Sequence, residues 1–108
     1  MRTQEHTSKE FPIDAARAIL RESLPRLLDE FGVSELGVFG SYVTGHQNAD
    51  SDLDVLVDFE ASRRITMFDF VGLELLLTEL TGIKVDLVMK SSLKPRIGER
   101  ILAQVIPV

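Results

Sequence analysis

"FGSYVTGHQNADSDLDVLVDF", residues 39–59, decides how this chain is read. The stretch opens on a Gly-Ser turn, crosses a polar connection and ends in an alternating pattern loaded with acids. Over residues 52–59, Leu53, Val55 and Val57 fall on one side of a strand, and Asp52, Asp54, Leu56 and Asp58 on the other. Asp52 and Asp54 therefore leave one face, with Cα atoms ~6–7 Å apart. Carboxylates so placed can converge on a divalent cation. Mg²⁺ takes a few carboxylates and completes its shell with water and phosphate oxygens.

Gly40-Ser41 supplies the complementary half. Gly40 allows the backbone to approach a phosphate closely. Ser41, opening a helical turn, adds a hydroxyl and the N–H groups of a helix start. For turn and acids to meet one triphosphate, the two strands must run antiparallel. The ten residues between Ser41 and Asp52 are also too few for a parallel crossover. A mixed sheet is expected.

The flanks fill in an α/β order. Ile13, Ala16, Leu20, Leu24, Leu27 and Phe31 recur at helical steps. Pro25 is expected to kink or split that helix, and Gly32 to end it. "ELGVFG" reads as a short buried strand, residues 35–40. Thr66 and Asp69 form a capping-box pattern opening a helix to about Leu80, with the Leu-rich 71–80 stretch read as core and Gly82 as its stop. "IKVDLVM" is a third strand with Ile83, Val85 and Leu87 on one side and Lys84, Asp86 and Val88 on the other. Asp86 joins Asp52 and Asp54 in one patch if the two strands are neighbours. Lys84 is assigned to a salt bridge, and Asp50 and Asp58 to solvent. "RIGERILAQVI" is a short C-terminal helix. The order α-β-turn-β-α-β-α describes helices packed around a small mixed sheet.

Composition bounds the function. A chain of 108 residues supports one domain, with residues 1–10 polar and frayed. Little length is left for a second, acceptor-binding domain, so another protein is expected to present the acceptor. The formal charge of −5 makes direct nucleic-acid binding a poor fit. The absence of cysteine excludes disulfides, thiolate metal sites and Cys nucleophiles, and suits the cytoplasm. No apolar run approaches the ~18 residues of a membrane span.

Each feature has a bland reading. A Gly-Ser pair after a strand is usually a plain turn, and a single strand Asp usually faces water. Their conjunction carries the weight: Gly-Ser, ten residues, Asp-x-Asp, then a third strand acid. That spacing resembles the polymerase-beta-type nucleotidyltransferase superfamily. The chain from residue 11 to 108 looks like the minimal nucleotidyltransferase (MNT) antitoxin group.

The resemblance implies a polymerase-beta-like fold and an enzyme using ATP and Mg²⁺, with Mn²⁺ as a substitute. It further implies AMP transfer to a tyrosine hydroxyl of a HEPN-domain toxin, in homo- or hetero-oligomers. Asp52, Asp54 and Asp86 are then the catalytic and metal-binding carboxylates, and Gly40 and Ser41 the nucleotide-binding turn. One departure stands out: many relatives read Gly-Ser-x-Ala-Arg-Gly, whereas this chain has "GSYVTG", with Thr44 at the Arg place. Two other readings stay open: an antitoxin that acts by binding alone, and a nucleotidyltransferase of small molecules.

Overall fold

In a computed structural model, residues 12–108 are described. The frayed N-terminus expected over residues 1–10 lies outside them. Helix α1, Pro12–Phe31, leads into β1, Val33–Phe39. A single turn, α2 (Ser41–Thr44), and a polar loop precede β2, Leu53–Phe59. Helix α3, Met67–Thr81, returns the chain to β3, Val85–Met89. A 3₁₀ turn, Lys90–Ser92, leads to α4, Pro95–Gln104, and a two-residue strand β4, Ile106–Pro107.

The sheet is mixed, in the order β3-β2-β1-β4. β1 runs antiparallel to both β2 and β4, and β2 runs parallel to β3. The expected reversal between the glycine turn and the acid strand is therefore present. The parallel pair is joined by α3, as a parallel connection requires.

Alternation on β2 buries one face completely. Leu53, Val55 and Val57 pack with Leu20 and Leu27 of α1 and Leu73 and Leu77 of α3. Each of these leucines and valines is fully enclosed, and each contributes roughly 1.5–3 kcal/mol by leaving water.

Five expectations need correction, one of them at the C-terminal end. Of the kink or split expected at Pro25, the split is absent: α1 is one helix from Pro12 to Phe31. The missing N–H costs one hydrogen bond, and burial of Leu20 and Leu27 on either side holds the two halves together. The 71–80 stretch is only half core. Leu73 and Leu77 are buried, while Val71 and Leu75 join Met67 and Phe68 on an exposed apolar stripe. Lys84 makes no ion pair among the described residues. Asp58 is half-buried rather than solvated, whereas Asp50 is exposed as expected.

The C-terminal helix, expected over residues 96–106, ends at Gln104, and a short strand follows it. Residues 105–108 lie along β1 as a strap. Ile106 pairs with Val38 and Pro107 with Gly37, and the Val108 N–H donates to the Leu36 carbonyl at 3.1 Å. Gly37 makes room: a Cβ there would press on Val105 Cγ2 at 2.6 Å. Arg17 donates to the Pro107 carbonyl at 2.8 Å and Arg21 to that of Val108 at 2.6 Å, so α1 holds the strap from outside.

Candidate active site

β1 carries Gly40 to one end of the sheet, and β2 begins there. Phe39 pairs with Asp54 across the antiparallel ladder. One residue on, Gly40 has φ 81° and ψ −153°, a region essentially reserved for glycine. Its Cα faces the Asp54 side chain so closely that a Cβ would overlap the carboxylate. The Gly40 carbonyl accepts from the N–H groups of Val43 and Thr44, each at 3.0 Å, which winds α2. Its own N–H donates to Gln104 Oε1 at 2.8 Å.

The parallel register places Asp86 directly beside Asp54. Adjacent strands lie ~4.8 Å apart, and in-register side chains share a face. Asp52 sits immediately before β2, half-buried, and Asp86 is exposed on the outer strand of the sheet. The three acids are thus brought to one end of the sheet, against the Gly40 turn. Their carboxylates are not already gathered into a ligating cluster of three among the described residues. Ser41 is half-buried at the start of α2.

The electrostatics are unbalanced. Among the described residues the ion pairs are Asp14–Arg17, Arg26–Glu30 and Glu35–Lys90, and none involves these acids. The Asp54 carboxyl is pushed up to about 6 by burial first, then by the charges of Asp86 and Asp52. A hard-oxygen donor set with no cationic side chain paired to it suits a divalent cation. Further along the same sheet face, Gly37, Leu56, Asp58, Leu102 and Val105 line an apolar cavity of about 270 Å³. None of the three acids lines it.

Residues 20–106 match the family model described as "Nucleotidyltransferase domain". The chain belongs to the nucleotidyltransferase domain family. Protein adenylyltransferase MntA of Thermococcus cleftensis is 46% identical over 94 residues, covering 87% of this chain and 93% of that protein. A solved structure assigned as a minimal nucleotidyltransferase has TM-score 0.67 and 41% identity, covering 82% of this nucleotidyltransferase and 88% of that chain. A toxin–antitoxin crystal structure with AMP-PNP has TM-score 0.63 and covers 80% of this chain and 69% of that one. At 23% identity it supports the fold alone.

The protein is therefore a nucleotidyltransferase with a polymerase-beta-like core, as its Gly-Ser and Asp-x-Asp spacing implied. No helix among the described residues is long and apolar enough to cross a membrane. Sequence reasoning missed Gln104, whose contact with Gly40 spans 64 positions. Nothing in the local pattern around Gln104 announces a partner so far away.

Proposed function

We propose that this nucleotidyltransferase moves AMP from ATP to a hydroxyl of a partner toxin, a HEPN-type protein presenting a tyrosine, and so acts as its antitoxin. The observation that carries the reading is the in-register pairing of Asp54 with Asp86, set against the Gly40 backbone. The 46% identity to a protein adenylyltransferase supports a protein as the acceptor.

Asp52, Asp54 and Asp86 would hold the divalent cation. Bound there, Mg²⁺ or Mn²⁺ offsets the triphosphate charge and the charge developing at the α-phosphorus. The chain's own residues do the rest. Gly40 brings backbone close to the β- and γ-phosphates, and the Ser41 hydroxyl donates to them. Asp86, exposed on the outer strand, is open to an acceptor arriving from solvent and takes the proton of its hydroxyl. The acceptor oxygen forms a bond to the α-phosphorus as the bond to pyrophosphate breaks, and pyrophosphate leaves in line. Catalysis then rests on positioning and electrostatics.

The test is incubation of the purified protein with its toxin and ATP labelled at the α-phosphate. Label should appear on the toxin with Mg²⁺ or Mn²⁺ and vanish in the Asp52→Asn, Asp54→Asn double variant. Unchanged labelling by that variant would overturn the reading. One observation favours a second reading, neutralisation by binding alone. Thr44 ends α2 with its hydroxyl 3.0 Å from His46 Nδ1, and offers no positive charge to a triphosphate. Protection of cells by the double variant, without transfer, would select that alternative.

A further inference from the structure

The Gly40 turn is held from a distance. Its backbone conformation lies in glycine-only territory, and its N–H points away from α2. An unsatisfied N–H here would let the turn relax. The partner is the side chain of Gln104, the last residue of α4.

The strap explains why it is this residue. Ile106 and Pro107 pair antiparallel with Val38 and Gly37. The same register, extended two residues beyond the ladder, sets position 104 opposite position 40. Gln104 is helical, so its backbone is not available as a strand partner there. Its side-chain carbonyl takes the place of the missing backbone acceptor and adds one rung to the sheet, at the point where β1 ends and the turn begins.

The carboxamide has a second use. Its Oε1 is committed to Gly40, and its Nε2 has no hydrogen-bond partner among the described residues. That nitrogen is not a buried orphan either, since the Gln47 Oε1 atom alone is in that state among the described residues. A solvent-accessible donor therefore sits on the same planar group that fixes the turn.

We infer that Gln104 is a positioning residue for the nucleotide: its carbonyl locks the Gly40-Ser41 turn, and its free amide N–H₂ is available to the phosphates held there. The inference rests on the reading of that turn as the phosphate site. It adds a residue from the far end of the chain, outside the Gly-Ser and acid motifs.

The experiment compares ATP and AMP binding, with Mg²⁺, to the intact protein and to Gln104→Leu, Gln104→Glu and Ser41→Ala, with melting temperature recorded for each. A hydrogen bond of ordinary net strength corresponds to roughly 3- to 10-fold in affinity. Gln104→Leu should weaken ATP by about that factor and AMP by much less, because the turn serves the β- and γ-phosphates. Gln104→Glu keeps an acceptor for Gly40 but replaces the donor with negative charge. It should melt like the parent and still lose ATP affinity.

A purely structural Gln104 would lower melting temperature in the Leu variant while leaving the ATP-to-AMP ratio unchanged, and that result overturns the inference. Failure of the underlying reading looks different: the parent would bind ATP no better than AMP, and Ser41→Ala would alter neither.

Discussion

Gly40 and Asp54 share a space that holds one side chain. The place a Cβ of Gly40 would take is occupied by the Asp54 carboxylate, and the Gly40 backbone has φ 81°. Gly40→Ala should therefore strain the backbone and displace the acid together. The expected cost in stability is roughly 1–3 kcal/mol, read from denaturant unfolding. AMP transfer should fall further than stability does, because the displaced group is Asp54. A variant with normal stability and normal transfer would show that the two residues do not compete.

Asp54 sets a pH dependence. Its carboxyl is raised from 3.8 to about 6, by burial and then by Asp86 and Asp52. A raised carboxyl binds its proton more tightly folded than unfolded. Its contribution to stability is thus most favourable at low pH and declines as pH rises between 3.8 and about 6. Above that range the charged carboxylate is a standing penalty without cation. Asp54→Asn should raise the melting temperature at pH 8 and by about half as much at pH 5, because the penalty builds from 3.8 upward, while abolishing transfer. Mg²⁺ should stabilise the parent more at pH 8 than at pH 5, and the Asn variant less than the parent at pH 8. Calorimetry at the two pH values checks both.

Asp86 and Asp58 are both strand acids, and they should part company. Asp86 pairs with Asp54, while Asp58 lies across from Glu35 on β1. Asp86→Asn should lower the transfer rate about 10²-fold or more, as loss of an electrostatic group in a reaction centre does. Asp58→Asn should stay close to the parent. Initial rates with labelled ATP separate them, and equal losses would argue against the proposed site.

Leu77 tests the scaffold. It is fully enclosed between α3 and the sheet. Leu77→Ala should cost about 2–5 kcal/mol, with ATP affinity nearly unchanged in the fraction that stays folded. Urea unfolding and a binding titration below the midpoint measure the two effects.

Most of this arrangement was legible because it is local or periodic. The alternation of Leu53, Val55 and Val57 gave the buried face, and the short link after Ser41 required a reversal. The Thr66–Asp69 capping box is present in reciprocal form, with the Asp69 N–H donating to the Thr66 hydroxyl at 3.1 Å and the Thr66 N–H to Asp69 Oδ2 at 3.0 Å. What escaped is non-local. Pro25 was read from its own chemistry, yet burial on either side decides its fate. Val71 and Leu75 are as apolar as Leu73 and Leu77, and only the packing of α3 shows which pair faces the core. Gln104 and the strap depend on contacts that no sequence window contains.

The approach of Val105 to Gly37 has a consequence for descent. Two positions far apart in the chain meet there, and the Val105 side chain fills the space that a side chain at 37 would need. Gly37 cannot gain a side chain alone, so a larger residue at 37 should be inherited together with a smaller one at 105. Lineages with Ala at 37 would be found to carry a smaller side chain at 105, with the Ile106 carbonyl eased back by a few tenths of an ångström.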